Sequence, residues 1–113
     1  MLNQIILVGR LARDIELEKV GEDKKVCKLT LAVPRSFKNA EGVYETDFIP
    51  ITLFDNVATN TCEYCHKGDI IGIKGRVQSK NYPREDGSEY QIMEIIAEKV
   101  TFLSSRKSEE VDE

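Results

Sequence analysis

The chain has 113 residues, 41% of them hydrophobic and 32% charged, with a formal net charge of −4. That length suits one domain with a real core, and no apolar run approaches the ~20 residues of a spanning helix, so a membrane partner is not expected. Three cysteines fit reduced thiols better than a disulfide framework, and the start Met1-Leu2-Asn3-Gln4 lacks the basic region of a signal peptide, so a cytoplasmic protein is expected.

Asn3 to Leu11, NQIILVGRL, reads as a first strand. It is apolar on both faces, which suits a central position. Gly9 marks a bulge or a bend. Ile15 to Glu18 continues in extended form, and Val20-Gly21-Glu22-Asp23 is a turn. Lys24 to Pro34 is a second strand, where Cys27, Leu29, Leu31 and Val33 alternate with Lys28, Thr30 and Ala32. Pro34 has no N–H to donate and ends the pairing. Ser36 to Val43 is then a loop, with Asn39-Ala40-Glu41-Gly42 at its tip.

Tyr44 to Phe54 is a third strand, YETDFIPITLF. Its period puts Ile49, Ile51 and Leu53 on a core face. Phe48, Pro50, Thr52 and Phe54 fall on the other, where large aromatics call for a second subunit or a ligand. Asp55 to Lys67 is the one helical pattern, capped by Asp55 or Asn56 and stopped by Lys67-Gly68. Val57, Ala58, Thr61, Cys62 and Cys65 share its apolar face.

From about Ile70 to Tyr82 comes a strand of two characters. Ile71, Ile73 and Val77 point one way; Lys74, Arg76, Gln78, Lys80 and Tyr82 point the other. Between Lys67 and Arg84 five cations stand against Asp69 alone, on a chain that is acidic as a whole. Asp86-Gly87 is a strong hairpin signal. A last strand runs from Glu89 to Phe102.

Five strands with one helix between strands 3 and 4 is the chain order of an OB-fold, an all-β Greek-key barrel. The expected domain is 1–103. Ser104 to Glu113, SSRKSEEVDE, is expected to be a short disordered polar tail.

Phe37, Phe48, Phe54 and Tyr82 lie on or beside the basic face. Every base has a π-face, so a flat ring binds any sequence, at ~1–3 kcal/mol per stacked base. The plainer reading of any one ring is core packing. Strand parity and basic neighbours together favour stacking. Arg35, Lys38, Lys67, Lys74, Arg76 and Lys80 are the candidates for neutralising phosphates.

Cys62-Glu63-Tyr64-Cys65-His66 has the spacing of a haem attachment site, which needs export. Both cysteines face the core of a helical pattern, so buried thiols are the plainer reading. A zinc site drawing on Cys27 lacks a second ligand pair. With His66 the lone histidine and the acids scattered, nothing reads as an active site. No enzyme, cofactor or metal is expected.

NQIILVGRLARD, LAVPRSFKN, TDFIPITLF, CHKGDIIGIKGRVQSKNY and the DG hairpin closely resemble bacterial single-stranded DNA-binding proteins. The resemblance covers Met1 to about Leu103. It implies an OB-fold that coats single strands without sequence preference during replication, recombination and repair, at the nucleoid, as a homotetramer. It carries base stacking onto Phe37, Phe48, Phe54 and Tyr82, and basic positions onto Lys67 and Lys80. The family often stacks on tryptophan, which is absent here. Its longer tail, with an acidic tip closed by an aromatic, recruits replication and repair proteins; this sequence stops at Glu109-Glu110-Val111-Asp112-Glu113. The short tail suggests a paralogue, a phage or plasmid version, or a trimmed form of a longer chain. Two alternatives stay open: an OB-fold assembly factor acting mainly through protein partners, and an RNA-binding OB protein.

Overall fold

The structure, a computed structural model, describes residues 1–105. Its elements are β1 (Ile5–Leu11), β2 (Glu16–Val20), β3 (Lys24–Lys38), β4 (Tyr44–Phe54), α1 (Asp55–Tyr64), β5 (Ile70–Pro83) and β6 (Glu89–Ser104). The tail expected at 104–113 falls outside the described residues, apart from Ser104, which ends β6, and Ser105.

The alternation read from the sequence is the alternation of the core. Leu11, Cys27, Leu29, Leu31, Ile51, Leu53, Ile71 and Ile73 are buried together. Each such aliphatic side chain contributes roughly 1.5–3 kcal/mol on burial. The sheet order is β1-β5-β6-β4-β3-β2, and β1 pairs with β3 as well, through Arg10↔Ala32 and Leu11↔Leu31. That pairing returns the ring to its start, so β1, β5, β6, β4 and β3 enclose the core as a barrel. β2 lies outside the ring as a hairpin on β3, with every residue exposed.

Barrel closure depends on Gly9. A β-carbon there would stand 2.5 Å from the Ala32 carbonyl oxygen and 2.9 Å from the Leu31 side chain. Only a residue without one lets β1 cross β3 this closely. Gly75 of β5 is similarly pressed against the backbone of Ile96. A bulge sits at this point: Lys74 pairs with Lys99 and Gly75 with Ala97, which leaves Glu98 unopposed.

The element boundaries correct the sequence reading in three places. The first strand begins at Ile5 rather than Asn3. The Asn3 side chain takes the place of a strand residue, giving its Nδ2–H to the Val77 carbonyl at 2.6 Å and accepting from the Val77 N–H at 2.9 Å. The second strand continues past Pro34 to Lys38. The missing donor shifts the register between Pro34 and Lys38, and pairing resumes at Lys38↔Tyr44.

The helix is the third case. It ends at Tyr64 instead of Lys67, because Cys65 is already extended at φ −114°. Gly68 has positive φ, but it serves the turn 66–69 rather than the helix end. The N-cap is Phe54, with no side-chain hydrogen bond; Asp55, expected as a cap, instead adopts φ 51°. Ala58, Thr61 and Cys65 are buried on the expected face, against the barrel.

Candidate nucleic-acid interface

The outside of the barrel carries the aromatics. On β4, Phe48 and Phe54 are 65% and 37% exposed, while Ile51 and Leu53 between them are buried in the core. Phe37 is 64% exposed on β3, and Tyr82 is 37% exposed on β5. None of the four rings belongs to the core cluster. Phe37 lies inside the irregular stretch after Pro34, so strand pairing does not set its face.

One row of paired residues defines the outer surface. Lys28 of β3 pairs with Thr52 of β4, Thr52 with Ile96 of β6, and Ile96 with Arg76 of β5. Directly paired residues share a face, so these four form a band across four strands, ~14 Å wide. Thr52 and Ile96 are buried in its floor, and cations stand at both ends. Phe54 lies on the same face of β4 toward one side of this band, and Phe48 toward the other. Lys80 and Tyr82 continue the face along β5. The structure therefore brings Phe48, Phe54, Arg76, Lys80 and Tyr82 onto one outer surface.

β6 lies between β4 and β5, so the basic strand does not abut the phenylalanine strand. Lys74 stands at the β1 end of this surface. It pairs with Ile6 on one side and Lys99 on the other, beside exposed Ile6 and Val8. Lys67 is exposed in the turn after α1, and its N–H donates to Asp14 Oδ1 at 3.1 Å.

Three of the six expected phosphate ligands already face an acid. Arg35 meets Glu45 at 2.7 Å and Asp47 at 2.9 Å. The hydrogen bond and charge of Arg35 hold the Asp47 carboxyl below its ordinary range, and the Arg35 guanidinium is raised in turn, chiefly by that hydrogen bond. Arg76 meets Glu98 at 3.5 Å, and Lys80 meets Glu94 at 3.7 Å. The second oxygen of Glu94, Oε1, is buried and has no hydrogen-bond partner among the described residues. The Arg35 and Arg76 pairs are exposed on both sides, and such pairs contribute little and exchange readily for another anion.

Several residues on this surface escaped the sequence reading. One is Tyr44, whose ring centroid lies 5.6 Å from Nζ of Lys38, an expected phosphate ligand and its direct partner across the β3–β4 hairpin. Tyr90 is the direct partner of Tyr82. Counting back from Asp86-Gly87 pairs the two, so the signal was present in the spacing. Lys28 belongs to the four-strand band and also borders a cleft of about 560 Å³ with Arg13, Glu16, Glu18 and Pro50. Alternation puts Lys28 on the outer side of β3, but its place in the band depends on pairings across four strands.

Among the described residues no group of three or more His, Cys, Asp or Glu is placed to hold a metal ion. Among them, too, no helix is long and apolar enough to cross a membrane. Cys27 and Cys65 are buried, and burial is the first cause raising both thiols, Cys27 to about 12.

A model of the single-strand binding protein family matches residues 2–103. Single-stranded DNA-binding protein B of Bacillus subtilis is 41% identical over 109 residues, spanning 96% of each chain. Single-stranded DNA-binding protein 1 of Staphylococcus aureus strain Mu50 is 42% identical over 113 residues, covering 100% of this chain and 72% of that one. A Plasmodium falciparum SSB solved in complex with ssDNA has the same fold, with a TM-score of 0.77 and 24% identity over 92% of this chain and 96% of that one.

Proposed function

This chain belongs to the single-strand binding protein family, and from that membership we propose that it binds single-stranded DNA without sequence preference. The observation that carries the reading is the outer face of β4, where Phe48 and Phe54 stand exposed beside a band ended by Lys28 and Arg76. Rings offer stacking to any base, and the cations offer charge to the backbone between bases. The work is binding, not chemistry: the protein coats and shields strands opened during replication, recombination and repair, in the cytoplasm at the nucleoid.

In this reading Phe37, Phe48, Phe54 and Tyr82 take bases. Arg35, Lys38, Lys67, Lys74, Arg76 and Lys80 take phosphates. Arg35, Arg76 and Lys80 do so by leaving Glu45 and Asp47, Glu98, and Glu94, so these acids compete with the strand for the cations. Charges more than about 8–10 Å away are largely screened at physiological salt, so a net charge of −4 does not keep these cations from a phosphate.

The active form is a homo-oligomer, a tetramer by family likeness. Among the described residues, Ile5 to Gly9 of β1 pair with β5 on one edge and with no strand on the other, while Ile6 and Val8 are exposed. A free edge beside an apolar face suits addition of a strand from a second copy. Replication and repair proteins are secondary partners.

The deciding experiment titrates the protein with oligo(dT) and with mixed-sequence oligonucleotides at rising salt. Affinity is expected to fall with salt at about −0.7 per phosphate contacted, with little dependence on base composition. A sharp sequence preference, or tighter binding to a matched RNA, would overturn the reading.

A further inference from the structure

On the β5–β6 arm the rings of Tyr82 and Tyr90 are stacked, with centroids 5.7 Å apart and planes 26° from parallel. Arg84 lies over the Tyr90 ring, its Cζ 5.1 Å from the centroid. The turn beyond them fixes this register. The Arg84 N–H donates to the Ser88 carbonyl at 2.7 Å, and the Gly87 N–H donates back to the Arg84 carbonyl at 3.1 Å. Asp86 Oδ1 accepts from both the N–H and the hydroxyl of Ser88, at 2.9 Å and 2.6 Å. Gly87, at φ +89° with open space around it, takes the left-handed position such a turn requires.

A ring has two faces, and Tyr90 covers one of those of Tyr82. A base is left the other. An isolated surface tyrosine gives up rotamer freedom when a base stacks on it, and that loss subtracts from affinity. A tyrosine already held against a second ring has lost the freedom beforehand. A cation over the second ring adds attraction to the assembly.

We infer that Tyr90 is a positioning residue for Tyr82, held in turn by Arg84, so that the arm offers one nucleobase of a single strand a preformed aromatic platform. The inference rests on the reading of Tyr82 as a base-stacking residue. It adds that the residue opposite Tyr82 acts without touching DNA.

The test measures oligo(dT) affinity for Tyr90→Ala, Tyr90→Phe, Tyr82→Ala and the Tyr82→Ala/Tyr90→Ala double variant. Tyr90→Ala is expected to weaken binding about three- to tenfold, while Tyr90→Phe, which keeps the ring, stays within about twofold. In the Tyr82→Ala background, Tyr90→Ala is expected to cost less than about twofold, because nothing remains to position. An equal loss in both backgrounds would make Tyr90 a base contact in its own right and overturn the inference. So would a loss in Tyr90→Phe, or full affinity in Tyr90→Ala alongside weakened Tyr82→Ala. Full affinity in Tyr82→Ala would remove the underlying reading of Tyr82, and this inference with it, while leaving Phe48 and Phe54 as the stacking face.

Discussion

Gly9 and Ala32 meet where the barrel closes, and the space between them admits no side chain: a β-carbon on Gly9 would stand 2.5 Å from the Ala32 carbonyl oxygen. Gly9→Ala must therefore move backbone against backbone at the β1–β3 crossing. It is expected to destabilise by ~1–3 kcal/mol, read as a lowered urea midpoint. Gly72→Ala is the control. Its new β-carbon would meet Leu103 at 3.8 Å, an ordinary contact, so the midpoint should barely move. Similar midpoints for the two variants would show that closure does not depend on Gly9.

Phe48 separates stacking from folding. The ring is 65% exposed, so Phe48→Ala should leave the unfolding midpoint close to wild type. Its affinity for oligo(dT) should fall by ~1–3 kcal/mol. Unchanged affinity would move the stacking surface off the outer face of β4.

Acids that hold the cations should restrain binding. Asp47→Asn frees one side of Arg35, and Glu94→Gln frees Lys80. Each is expected to tighten oligo(dT) binding at low salt and to steepen the salt dependence by up to ~0.7 per phosphate gained. Glu94→Gln also replaces a carboxylate whose Oε1 is buried with no partner among the described residues, so it should not lower stability. Weaker binding in both variants would mean that the acids orient the cations instead of competing for them.

The Arg35–Asp47 pair has a pH signature. The folded carboxyl titrates below its ordinary value of 3.8, chiefly because it accepts the Arg35 hydrogen bond. The stabilisation it supplies is therefore complete above that value and is lost as pH falls through the lowered one. In a carboxyl NMR titration, Arg35→Ala should raise the Asp47 midpoint. Both groups are exposed, so the accompanying change in stability should be small.

Cys27 has the opposite sign. Burial lifts its thiol from 9.0 to about 12, so the folded protein favours the neutral form. The contribution is complete below 9.0 and is lost as pH climbs from there toward about 12. Cys27→Val removes this titration, and its loss of stability between those limits should be shallower than that of wild type. Parallel curves would show that the thiol is solvated in the folded state.

Sequence and structure agree where one strand or one helix decides the outcome. Alternation identified Cys27, Leu29, Leu31, Ile51, Leu53, Ile71 and Ile73 as inward-facing because burial acts residue by residue along a strand. The same parity placed Phe48 and Phe54 outside. What escaped it depends on partners distant in the chain. Arg76 meets Glu98 across a hairpin, and Lys28 joins Arg76 only through β4 and β6. Local signals also misled where they compete. Pro34 should have ended its strand, but the pairing with β4 outlasts one missing donor. Gly68 looked like a helix stop, yet the chain leaves the helix at Cys65, whose extended conformation starts the turn toward β5.

Lys74 and Lys99 face each other directly across β5 and β6, next to exposed Ile6. Like charges so placed repel, and dissolved ions screen that repulsion. Salt therefore acts on this pair in two senses: it relieves the repulsion inside the sheet, and it weakens the hold of the same cations on any phosphate laid across them.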